Sequence, residues 1–142
     1  MRALLIWTVN LALVANGAFM LFWPETWYGL VPGVVDTGPF NPHFVRDVGS
    51  AYLVAGGGLL WFTLEKCARP AATAAAAFLA LHAAVHLWDA AAGRETLIHL
   101  LEDVPTVILP AALIFKIARP RLRSSKENSN AEMAHAAADR RL

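Results

Sequence analysis

Charge is scarce in this chain. Only 16% of its 142 residues are Asp, Glu, Lys or Arg, 57% are hydrophobic and the mean hydropathy is +0.46. That balance excludes an ordinary soluble domain, which needs a charged surface, and a disordered chain, which needs low hydrophobicity. Cysteine is almost missing too: Cys67 stands alone, so it reads as a reduced thiol, with neither an internal disulfide nor a Cys-x-x-Cys redox or zinc motif. No glycine-rich phosphate loop follows a strand pattern and no Gly-x-Ser-x-Gly elbow occurs, which leaves soluble-type nucleotide or serine-hydrolase chemistry without support. The formal net charge is only +1, and nothing in it favours nucleic acid as a partner.

What the chain does have is long apolar runs. Residues 3–23, 44–64, 71–89 and 96–118 are each long enough to cross a hydrocarbon core of about 30 Å. The fold class expected is all-α, an integral membrane four-helix up-down bundle forming one domain over residues 1–118, with the lipid bilayer as its solvent. The first run has a competing reading as a cleaved signal peptide, since Met1 and Arg2 make a minimal basic start and Ala15, Asn16 and Gly17 are suitably small. The run continues through Phe19 to Trp23 beyond that point, which favours retention. Asn10 and Asn16 within it read as interhelical hydrogen-bond donors. Trp23, Trp27 and Tyr28 suit one interfacial aromatic belt, and Trp61 and Phe62 the other. Gly56, Gly57 and Gly58 predict close helix approach in the second span, and the alanine-rich third span belongs inside the bundle. Pro105 and Pro110 predict a kink or local unwinding in the fourth, with Thr96 as its cap.

Between the first two spans, residues 24–43 hold Pro24, Pro32, Pro39 and Pro42 and the glycines Gly29, Gly33 and Gly38. They read as a loop, either a lid or a plain surface connection. Lys and Arg are distributed unevenly. Arg2, Lys66, Arg69, Lys116, Arg119, Arg121, Arg123, Lys126, Arg140 and Arg141 fall on one side of the predicted membrane, and only Arg46 and Arg94 on the other. The positive-inside rule then places both termini in the cytoplasm of a bacterial inner membrane and the proline-rich loop outside. Residues 119–142 read as a basic to polar cytoplasmic tail without regular structure, in which His135 is solvated.

The polar residues of the spans crowd at the predicted outer end. In an up-down arrangement the start of span two, the end of span three and the start of span four share one level. His43, Arg46 and Asp47 therefore meet His82, His86 and Asp89, and also His99, Glu102 and Asp103, with Thr106 nearby. His82, His86 and Asp89 follow spacings of four and three, which keep them on one helical face, with His82 roughly 10 Å below Asp89. The carboxylates outnumber the fixed cations Arg46 and Arg94, so a bound cation, shared protons or protonated histidines are required. Imidazole and carboxylate donors suit Zn, Cu or non-haem Fe. A structural salt-bridge network explains the same residues, with Arg46 as its ion-pair member. A proton relay, a quinone pocket and a haem held by His86 and His99 also remain open.

The segment Asn41-Pro42-His43-Phe44-Val45-Arg46-Asp47-Val48-Gly49-Ser50-Ala51-Tyr52-Leu53, with Leu81-His82-Ala83-Ala84-Val85-His86-Leu87-Trp88-Asp89, resembles small uncharacterised bacterial membrane proteins of the DoxX-like four-helix group. The resemblance implies a four-span bundle over roughly residues 1–118 and an association with quinone-linked redox complexes, but it transfers no catalytic residues. The leading functional expectation is a metal-binding or redox-associated accessory subunit, with other membrane subunits or further copies of the chain as partners. The alternatives are a structural or assembly protein whose polar cluster fixes helix register, and a small proton-coupled carrier, for which one four-span chain offers little room.

Overall fold

The computed structural model describes residues 2–118. Helix α1 spans Arg2–Phe22, and Pro24 then opens α2, Pro24–Leu30, from the first position, where a missing N–H leaves no bond unmade. The segment expected to be a loop is thus partly helical. It continues through Gly33, whose φ of 78° only glycine adopts without strain, into a single 3-10 turn at Val34–Asp36. Tyr28 fastens it by donating from its hydroxyl to the carbonyls of Gly38, at 2.5 Å, and Val35.

Helix α3, Pro42–Leu64, starts where the Asn41 side chain accepts hydrogen bonds from the backbone N–H groups of His43 and Phe44, a proper N-cap with proline behind it. A 3-10 turn at Lys66–Ala68 leads into α4, Arg69–Ala91. After α4 the chain turns at Gly93, φ 70°. Thr96 caps α5, Leu97–Asp103, by accepting from His99 N–H at 3.2 Å. The expected interruption follows: Pro105 sits in a π-helical turn, Val104–Ile108, before α6, Leu109–Ala118. Proline removes one i to i−4 bond, and a π turn absorbs the misfit without ending the helix.

Contacts along the helices run in opposite directions. On α1 and α3, Arg46 Nε donates to the Leu21 carbonyl, a methyl placed on Gly17 would stand 2.7 Å from the Gly49 carbonyl oxygen, one on Gly56 would stand 2.7 Å from Val14 Cγ2, and Asn10 Nδ2 donates to Thr63 Oγ1 at 2.9 Å. Rising numbers on one helix meet falling numbers on the other, so the pair is antiparallel. Tyr52 meets Phe78 and His82, while Gly58 faces Ala71, which makes α3 and α4 antiparallel as well. Arg69 reaches the Ala118 carbonyl and His86 reaches Asp103, so the α5 to α6 rod also runs against α4.

Interfaces follow chain order. Helix α1 packs on α3, α3 on α4, and α4 on α5 and α6, and α1 makes no comparable interface with α4, α5 or α6. The rods form an open row, whereas a closed bundle brings its first and last members together. Small residues bring neighbouring rods close: Gly17, Gly49 and Gly56 let α1 and α3 backbones approach directly, and Ala72, Ala75, Ala76 and Ala83 do the same on α4. Of the three consecutive glycines, Gly57 faces open space and serves no contact.

The surface is apolar. Leu4, Leu11, Val54, Leu81 and Ile98 are all at least 70% exposed, while Leu13, Met20, Leu59, Phe62, Leu79 and Ile114 are buried together with Asn10 and the alanines at the helix contacts. Three helical stretches, Leu4–Phe22, Lys66–Ala91 and Leu97–Ala118, are long and apolar enough to cross a membrane. Helix α3 is not among them, since Arg46, Asp47, Ser50 and its glycines dilute its hydropathy. The tail expected at residues 119–142, with most of the basic residues used for orientation, lies outside the described residues.

Candidate functional site

The π turn aims the site's central carboxylate. Asp103 is the last residue of α5 and leads into the turn at Val104–Ile108, and its side chain, only 8% exposed, faces α4. There Asp103 Oδ2 lies 2.7 Å from His86 Nδ1, in a bond that spans 17 residues of sequence. At this distance the two atoms share one hydrogen bond, with the donor set by the tautomer of the His86 ring.

A third group completes the cluster. Ligand atoms of His86, Glu95 and Asp103 all lie within 4.8 Å of one another. Glu95 enters because Gly93, in a left-handed conformation, reverses the chain after α4. Its neighbour Arg94 turns the other way and binds Asp89 at 2.6 Å. Glu95 Oε2 is buried and has no hydrogen-bond partner among the described residues. A buried carboxylate oxygen without a donor is costly, and beside a second carboxylate it is more so, because one histidine cannot balance two negative charges.

Below the cluster the lining turns aromatic. The His82 ring meets His86 at 4.8 Å between centroids, stands edge-on to Tyr52 at 5.6 Å and stacks with Phe78 at 6.0 Å. His82 therefore supports the His86 ring from the interior side, one turn deeper on α4.

The remaining expected members are elsewhere. His43 and Asp47 form their own pair at 3.5 Å, with side chains 87% and 66% exposed, on the outside of α3. The i to i+4 spacing suffices for that pair and draws neither toward α4. Arg46 is held at the end of α1 by the Leu21 carbonyl and does not serve as the structural ion pair of the cluster. Asp89 is taken by Arg94. Glu102 is half-buried, and its backbone carbonyl accepts from Thr106 Oγ1, but its carboxylate is not part of the cluster. His99 is buried, one turn before Asp103, with its ring directly over Gly33: a methyl on that glycine would stand 2.1 Å from His99 Nε2. The loop thus occupies the space that an axial haem ligand at His99 would need.

Of the residues expected from sequence, the structure brings together His82, His86 and Asp103. Glu95 is the residue that sequence reasoning missed. Its signal was the short Gly93-Arg94-Glu95-Thr96 connection, since a glycine C-terminal stop followed closely by a Thr cap folds whatever lies between them back over the helix ends. The three donors, one imidazole nitrogen and two carboxylate oxygens, match the first-row divalent ions zinc and ferrous iron better than soft copper(I). Ligands at about 2.0–2.2 Å from a tetrahedral ion are roughly 3.3–3.6 Å apart, so an ion requires the 2.7 Å His86/Asp103 contact to open and the wider spacings, which reach 4.8 Å, to close. Nothing known supplies this site by likeness: no family model, no curated protein and no solved structure matches the chain.

Proposed function

We propose that this chain is a multi-pass membrane protein of the bacterial inner membrane that binds a divalent transition metal ion, zinc or ferrous iron, through His86, Glu95 and Asp103. The observation that carries the metal reading is the buried, partnerless Glu95 Oε2 beside an already bonded His86/Asp103 pair. A purely structural network would be expected to satisfy that oxygen, and Arg94, the nearest cation in sequence, is committed to Asp89. A cation between the two carboxylates removes both the missing bond and the excess charge.

The membrane reading rests on the three helices of sufficient length and apolarity and on the exposed large side chains of the helix row. Helix α3 is the fourth span of the proposal. It lies between α1 and α4, so lipid meets less of it and its lower hydropathy is tolerated. Both termini lie in the cytoplasm on this reading, which puts the metal cluster near the periplasmic surface. The DoxX-like likeness of residues 41–53 and 81–89 is compatible with this arrangement, and an accessory role beside a redox complex is its natural extension.

The test is metal analysis of the full chain purified in detergent. One equivalent of metal per chain, retained through gel filtration and lost in both His86→Ala and Glu95→Gln, is the expected result. Metal-free protein that gains no thermal stability from added zinc or ferrous iron would overturn the reading and leave the cluster as a helix-register device.

A further inference from the structure

A second polar constellation lies away from the metal cluster, where the end of α1, the start of α2 and the approach to α3 border an open surface cleft of about 430 Å³. Phe22, Trp23, Phe40 and Pro42 form its apolar walls, and Glu25 and Arg46 are its only charged residues. Arg46 is anchored by one bond from Nε to the Leu21 carbonyl, which leaves the other guanidinium nitrogens free to bind. Neither Arg46 nor Glu25 forms an ion pair among the described residues, where the pairs are His43 with Asp47, His86 with Asp103 and Arg94 with Asp89. Phe22 and Trp23 are 65% and 61% exposed immediately beside these charges.

One charge of each sign, unpaired, next to bare aromatic surface selects an amphiphilic zwitterion. Its anion meets Arg46, its cation meets Glu25, and its apolar part covers Phe22 and Trp23. On the membrane reading above, on which this inference rests, α1 ends here at the interface, where tryptophan and headgroups share a level. We infer that this cleft binds a phospholipid headgroup of the phosphatidylethanolamine class, with its phosphate on Arg46 and its primary ammonium on Glu25. Guanidinium forks match phosphate oxygens. A primary ammonium donates hydrogen bonds to a carboxylate, which a quaternary choline cannot do. A purely anionic headgroup would satisfy Arg46 but would repel Glu25.

Native mass spectrometry of the detergent-solubilised full chain, incubated with equal amounts of phosphatidylethanolamine, phosphatidylcholine and phosphatidylglycerol, tests the assignment. The wild type should retain phosphatidylethanolamine about five-fold over the other two, the scale of one exposed charge-assisted contact. Glu25→Gln should lose that preference while still binding phosphatidylglycerol, and Arg46→Gln should lose all three. The Glu25 side chain makes no hydrogen bond or ion pair among the described residues, so its variant does not put the fold at stake. Equal retention of the three lipids by the wild type, or an unchanged preference in Glu25→Gln, overturns the inference and leaves only annular lipid. A chain that stays soluble without detergent and takes up no lipid refutes the membrane reading itself.

Discussion

His86 Nδ1 and Asp103 Oδ2 lie 2.7 Å apart and join the last turns of α4 to the end of α5, just before the π turn. This bond and its neighbour Glu95 have opposite consequences for stability. Replacing His86 by Ala leaves Asp103, 8% exposed, without its partner and should destabilise the metal-free protein by about 3 kcal/mol. Glu95→Gln removes an unpaired carboxylate charge and should leave the metal-free protein as stable as the wild type or slightly more so. Chemical denaturation in a fixed detergent measures both. A large loss in Glu95→Gln would mean that Glu95 has a structural partner.

Metal addition should lift the wild type above both variants and leave their own order unchanged. At a hundred times its dissociation constant, an ion bound only by the folded chain adds about 2.7 kcal/mol, and a chelator should remove that gain from the wild type. Neither His86→Ala nor Glu95→Gln should respond to metal or chelator. Binding also displaces the proton between His86 and Asp103, so titration of metal in weak buffer should release protons, and affinity should rise with pH.

Asp89 provides the control. Its carboxylate is bound to Arg94, whose side chain is 64% exposed, so Asp89→Ala should cost under about 1 kcal/mol and leave metal stoichiometry at the wild-type value. Loss of metal in this variant would place Asp89 in the site after all.

Glycines divide by what they touch. Gly17→Ala drives a methyl to 2.7 Å from the Gly49 carbonyl, a rigid backbone atom, and should destabilise by about 1–3 kcal/mol. Gly57→Ala meets nothing within 4 Å and should be neutral or stabilising. Gly33→Ala combines a positive φ with a collision on the His99 ring; it should free the residue 31–41 loop and make it the first site of protease cleavage. A thermal melt and a limited digest separate the three.

The lone cysteine reports topology. Cys67 is exposed in the turn before α4, on the side assigned to the cytoplasm. A membrane-impermeant maleimide should label it only after the cells are permeabilised, and a reporter fused after Leu142 should be active inside. Labelling from intact cells would invert the orientation and put the metal cluster in the cytoplasm.

The long helices were legible because their signals are local. The Thr96 cap ahead of His99 acts within a turn of the chain, and apolar runs announce themselves by length, whereas the short helix Pro24–Leu30 lies in a segment read as loop and the Asn41 cap went unread. The site was legible only in part. The His82 to His86 spacing and the Asp103 position survive into the structure, because each depends on one helix facing one neighbour. His43 and Asp47 satisfy each other at short range, and Arg94 claims Asp89, two local pairings that compete with any long-range cluster and prevail because they need no tertiary closure.

By itself the sequence determined the helical class, the approximate bounds of the long apolar helices and the use of small residues at most of the close contacts, since these follow from backbone chemistry and hydropathy along a single chain. The tertiary structure alone decided that the rods form an open row, that the loop rests Gly33 on His99, and that Glu95, on the five-residue connection between α4 and α5, completes the cluster in place of Asp89. Those outcomes depend on which surfaces meet across antiparallel helices and on the left-handed turn at Gly93, whose direction is fixed only once α4 and α5 are packed.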